Sequence, residues 1–140
     1  MATVFTKIIA GELPGHFIWR DDLCVAFLSI NPTSRGHALV VPRAEVDHWL
    51  DLDAQVAGHL MEVAHAIGRA QQAVGSAPRV GLMIAGFEVP HVHVHVVPMS
   101  SMRQLDLASG DTSPDPDALA RAAEEIRAAL RKLGHAEVSD

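Results

Sequence analysis

The sequence predicts an α+β domain, with elements in the order β-β-β-α-β-β-α. Three observations lead there. His91-Val92-His93-Val94-His95-Val96-Val97 alternates imidazole with valine, the period-two pattern of a strand. Two short apolar runs, 16–20 and 24–28, flank the turn pair Asp21-Asp22 and read as an antiparallel hairpin. Two longer stretches, 53–74 and 115–133, repeat apolar residues every three or four positions, as amphipathic helices do.

Taken in order, His16 to Arg20 and Cys24 to Leu28 form the hairpin strands. Asn31-Pro32 breaks the run, Gly36 opens a third strand from His37 to Val41, and Pro42 closes it. In the first long helix Val56, Leu60, Val63, Ala64, Ile67 and Val74 share a stripe. Asp51 or Asp53 caps its start and Gly75 its end. His59 and His65 lie off the stripe and, like His48 and His135, read as surface. Arg79 to Ala85 is a fourth strand. Pro90 stands before the fifth, where its missing N–H is tolerated. On that fifth strand His91, His93 and His95 share one face, roughly 7 Å apart from one to the next, and the valines share the other. Met99 to Ser113 is a polar loop without a readable pattern. Asp115 as N-cap and Pro116 at the first helical position start the last helix. Its stripe runs from Leu119 through Ile126 to Leu133, and Gly134 ends it.

Bulk properties narrow the function. A chain of 140 residues makes one domain with a real core. Its charge of −6 argues against a nucleic-acid polymer as partner. No apolar stretch approaches a membrane span, and no signal peptide opens the chain. Cys24, the one cysteine, reads as a small buried residue in a reducing, cytoplasmic setting.

Three imidazoles in register do nothing for packing, and imidazole is the side chain that titrates nearest neutral pH. The run from His91 to Val97 resembles the His-φ-His-φ-His-φ-φ signature (φ apolar) of the histidine triad (HIT) nucleotide hydrolases and transferases. The likeness extends to Val4–Pro14, to Ala26–Pro32 with Gly36–Pro42, and to Ile84–Pro90, so it spans about residues 4 to 102. The resemblance implies a five-stranded antiparallel sheet with two main helices, commonly in a homodimer that joins two sheets.

It also implies a reaction at the α-phosphorus of a purine nucleotide conjugate. By position His93 is the nucleophile, its tautomer fixed by the backbone carbonyl of His91. His95 donates to the phosphate, and His37 completes the cluster beside His91. Val4, Phe5, Ile8, Leu13 and Phe27, with Ile30 beyond them, wall an apolar slot for the base. No cofactor or metal is implied. Ser29 stands where many relatives carry a ribose-binding acid, and Phe87 and Val80 stand where relatives carry amides near the phosphates. Glu88 replaces a hydroxyl that helps the leaving group. Thr6 occupies the place of a zinc-binding cysteine, which excludes a zinc site of that type. The expected activity is hydrolysis of a nucleoside phosphoramidate or a similar conjugate. A diadenosine-polyphosphate hydrolase or phosphorylase is the rival within the family. A nucleotide-binding protein with little turnover, and a metal-dependent hydrolase built on the His-x-His strand, are the alternatives outside that chemistry.

Overall fold

A computed structural model describes residues 2–138. Strands β1 (Phe17–Arg20), β2 (Cys24–Leu28), β3 (Ala38–Pro42), β4 (Arg79–Met83) and β5 (Val94–Met99) form one antiparallel sheet. Its spatial order is β1-β2-β3-β5-β4. Strand alternation divides the side chains between two cores. Cys24, Ala26, Leu28, Ala38, Val40, Val94 and Val96 face the long helices α2 (Ala54–Val74) and α3 (Pro116–Lys132). Val25, Phe27, Leu39 and Val41 point the other way, onto a smaller cluster with Phe5 and Phe17. Val92 joins the helix-side core, so the valine face of the triad segment is buried as the alternation requires.

The helices sit close to the expected positions. Asp53 caps α2 through the amide of Gln55, and Asp115 caps α3 through the amide of Asp117, with Pro116 at the first position. Gly134 takes the left-handed conformation (φ +93°) after α3. Gln71, buried on α2, donates through Nε2 to the carbonyls of Gly36 and Val96, both at 2.9 Å. This ties the helix to the segment entering β3, next to His37, and to β5, next to His95.

Three local expectations are corrected. The opening segment forms a helix, α1 (Val4–Ile9), capped by Thr3, whose side chain accepts from the amide of Thr6. Six residues are too few to show a period. The fourth strand ends at Met83 rather than Ala85. The fifth strand begins only at Val94, so of the triad His95 alone lies in the ladder. The register that pairs Val40 with Val94 would bring Pro42 opposite Val92; Pro42 pairs with Cys24 of β2 but has no N–H to offer β5, and its carbonyl accepts from the His91 ring. The amide of Val92 bonds the carbonyl of Val46 instead, at 2.8 Å. Among the described residues no helix is long and apolar enough to cross a membrane.

Candidate active site

The second face of the sheet carries a cleft of about 600 Å³. Phe27 and Leu39 form its floor. Phe5 and Ile8 of α1, with Leu13 after it, form one wall. Leu107, Ala108, Gly110 and Thr112, from the loop that had no readable pattern, line it as well. His37, His93 and His95 lie at its polar end, and Ser29, Ile30 and Glu88 also line it. The apolar slot anticipated from the sequence is therefore a real cavity, but a loop distant in sequence completes it. A side chain on Gly110 would collide with the carbonyl of Asn31, so glycine lets this loop close on the β2–β3 connection.

Hydrogen-bond partners assign the ring protons. Nδ1 of His93 lies 2.7 Å from the carbonyl oxygen of His91. A carbonyl only accepts, so Nδ1 carries the proton and Nε2 keeps a bare lone pair. The amide of Thr33 donates to Nδ1 of His37 at 3.1 Å. Nε2 of neutral His37 therefore holds a proton and donates to Nδ1 of His95, 2.9 Å away. This places the remaining proton of His95 on Nε2, which is buried with no partner among the described residues. The His93 and His95 rings stand 5.0 Å apart, centroid to centroid. The site thus pairs a free imidazole lone pair with an unspent N–H donor.

All three imidazoles are held neutral. Burial lowers the His37 pKa to about 4. Burial, with His37 and His93 alongside, lowers that of His95 to about 3. Burial lowers that of His93 too, against the opposing pull of the His91 carbonyl and Glu88.

His37 and His91 depart from expectation. His37 pairs with His95, not His91: the β3–β5 register sets Leu39 opposite His95, and His37, two residues before Leu39, meets His95 on the diagonal. His91 is fully buried and does not line the cleft. Its Nε2 donates to the carbonyl of Pro42 at 2.8 Å, and Thr3 Oγ1 lies 2.7 Å from its Nδ1. Its contribution to the cleft is the backbone carbonyl that holds His93. Thr3 and Thr6 in turn meet Glu45, which accepts from the Thr3 amide and the Thr6 hydroxyl, each at 2.7 Å. Sequence reading missed Thr3, Thr33 and Glu45, since a lone threonine or glutamate carries no pattern. Val80 packs against the helix-side core, and Phe87 is fully exposed (99 %), so neither lines the cleft. Ser29 Oγ accepts from the amide of Asn31 at 3.1 Å.

His59 is more than a surface histidine, because its Nε2 lies 2.6 Å from Asp21 Oδ2. Asp21, Cys24 and His59 are the one trio of potential metal ligands among the described residues. They form a closed hydrogen-bonded set instead. Burial works against the Asp21 charge, but donors from Trp19, Cys24, His59 and Leu23 outweigh it and hold the pKa at about 2. Burial and the neighbouring carboxylate push the Cys24 thiol far above the thiolate range.

The HIT domain model matches residues 10–102. The chain belongs to the HIT domain family. This HIT domain is 34% identical over 136 residues to an uncharacterized HIT-like protein of Mycobacterium tuberculosis, covering 91% of this chain and 94% of that one. It is similar in structure to a zinc-bound histidine triad family protein from Mycobacterium smegmatis, with TM-score 0.80, 29% identity, and 95% and 96% of the two chains covered. A HIT family hydrolase from Legionella pneumophila aligns with TM-score 0.61 and 26% identity, over 72% of this chain and 96% of that one. The zinc belongs to the M. smegmatis protein. In this HIT domain Thr6 is a neutral alcohol already donating to Glu45, so a cysteine-type zinc site does not fit there.

Proposed function

We propose that the protein hydrolyses a purine nucleotide conjugate at its α-phosphorus, through a covalent nucleotidyl-His93 intermediate, and releases a nucleoside monophosphate. One observation carries this reading: a neutral imidazole with its lone pair free stands beside a second imidazole whose N–H has no partner. The base enters the slot formed by Phe5, Ile8, Leu13 and Phe27, with Ser29 and Ile30 beside the ribose.

The chemistry follows from those protons. Nε2 of His93 forms a bond to phosphorus as the bond to the leaving group breaks, and a departing amine keeps that electron pair and takes a proton from solvent. The imidazole becomes cationic, and the His91 carbonyl on Nδ1 stabilises it. His95 Nε2–H donates to a non-bridging oxygen as charge builds there, the positioned-donor role on which phosphoryl chemistry depends. Water then attacks phosphorus and loses a proton to solvent, and the electron pair returns to His93.

The metal-dependent alternative fares worse. Both His91 nitrogens and Nδ1 of His37 are engaged, so only Nε2 of His93 and of His95 face the cleft uncommitted. A catalytic zinc ordinarily takes three protein ligands. The deciding experiment compares wild type with His93→Ala on an adenosine phosphoramidate of a fluorescent amine, in EDTA. AMP release by wild type, reduced at least ~10³-fold in the variant, supports transfer through His93. Activity only after zinc is added supports the metallohydrolase. Binding of AMP without turnover in either condition supports a nucleotide-binding protein.

We also propose a homodimer through β4. The β1 edge is covered, because the Arg20 amide bonds the carbonyl of Glu137. The β4 edge has no strand partner among the described residues, and exposed Leu82, Ile84, Trp49 and Met61 line an apolar groove beside it.

A further inference from the structure

The cleft has an unusual charge inventory for a site that handles phosphate. Among the described residues none that lines it is a lysine or arginine, and Glu88 is the one charged side chain there. The three imidazoles at its polar end are neutral, so they offer hydrogen bonds but no positive charge. The whole chain adds a net −6. Such a site tolerates the single negative charge of a phosphate diester or phosphoramidate, which His95 Nε2–H can meet. It is poorly suited to a polyphosphate chain, which brings several charges and finds no cation to pair with.

Glu88 has a defined place in this cleft. It lies on the lead-in to the triad, at the cleft's exposed rim, close enough to His93 to act on it electrostatically. Phe5 of the apolar slot stands edge-on to the His93 ring, 4.9 Å between centroids, so slot and nucleophile adjoin. A conjugate with its base in that slot and its phosphorus at His93 has its leaving group in the same cleft, where Glu88 is the charged neighbour.

We propose that Glu88 is a specificity-determining residue that selects conjugates whose leaving group carries positive charge, such as an amine bearing a second ammonium, and disfavours polyphosphates. This deepens the proposed function and rests on His93 acting at the phosphorus. It separates the two substrate classes that the triad alone leaves equal.

The test uses adenosine phosphoramidates of three amines of matched length, ending in an ammonium, a methyl or a carboxylate. Diadenosine tetraphosphate with Mg²⁺ serves as a fourth substrate. Wild type is expected to rank them ammonium, methyl, carboxylate by kcat/KM, with the tetraphosphate last. The first step is about two- to fivefold, the range of an exposed charge pair. Glu88→Gln should bring the ammonium-to-methyl ratio near one, and Glu88→Lys should invert it. An unchanged ratio in Glu88→Gln, or tetraphosphate turnover equal to the best phosphoramidate, overturns the proposal. The same conjugates titrated into His93→Ala separate the two ideas. If nothing is hydrolysed by wild type but Kd keeps the charge order, the hydrolase reading fails and the filter stands. A flat Kd series removes the filter.

Discussion

His95 shows how much of the site depends on one proton. Its Nε2 is a donor only because His37 supplies a hydrogen bond to Nδ1, and His37 does so only because the Thr33 amide occupies its other nitrogen. His37→Phe keeps an apolar ring in the buried space but removes the donor. His95 is then free to place its proton on Nδ1 and turn a lone pair toward the phosphate. The expected loss is on the order of 10²-fold in kcat, with a much smaller change in KM, as for removal of one transition-state donor. Steady-state kinetics on the phosphoramidate, with a thermal melt to confirm folding, checks this. A wild-type kcat in a folded His37→Phe protein would show that the relay does not set the His95 tautomer.

Among the elements, β4 is the least settled within one chain. It pairs with β5 on one side only, and its residues are mostly half-buried or exposed, whereas every residue of β2, β3 and β5 is buried. An edge without a strand partner among the described residues, beside exposed Leu82 and Ile84, is a template for another strand, and in the proposed homodimer a second copy of β4 would continue the sheet symmetrically. Sedimentation equilibrium at micromolar concentration should give twice the 15.0 kDa chain mass. Leu82→Glu, which places a charge in that groove, should shift the population toward monomer. A wild-type protein that sediments as a single chain contradicts this use of the edge. The helices pose no such question, since their caps and stripes were readable from Asp53, Asp115 and Pro116. By contrast α1 was not readable: its six residues are fixed by Thr3 and by the packing of Phe5 on Phe27, at 5.6 Å between ring centroids.

Over the whole molecule, burial of the imidazoles links the site to acid stability. His37 and His95 titrate near 4 and 3 in the folded protein, below the ordinary histidine value of 6.5. Above pH 6.5 both states are neutral and the fold keeps its full stability. Below it, the unfolded chain takes up protons that the folded chain refuses, so stability falls with pH. The slope is up to about 1.4 kcal/mol per pH unit for each histidine, until the folded values are reached. Asp21, with its pKa depressed to about 2, acts in a separate window below its ordinary 3.8. Urea unfolding at pH 7, 6 and 5 should show the loss, and a His37→Asn/His95→Asn double variant should flatten it. Equal stability at pH 7 and 5 in wild type would mean that these rings accept protons in the folded state.

The sequence by itself determined the two-faced sheet and the imidazole chemistry of the candidate site. Alternation needs only neighbouring residues: valines that must leave water set one face, and the histidines are carried to the other. The caps of α2 and α3 are equally local. What each histidine does was decided by tertiary structure. The pairing of His37 with His95 is a matter of strand register between residues 58 positions apart. The anchoring of His91 depends on Thr3, 88 positions away. Part of the cleft's lining comes from a loop whose residues carry no periodic signal, and the charge balance around Glu88 exists only once those segments meet. Hydrogen bonds and electrostatic fields depend on distance in space, so no reading along the chain assigns them until the fold has fixed those distances.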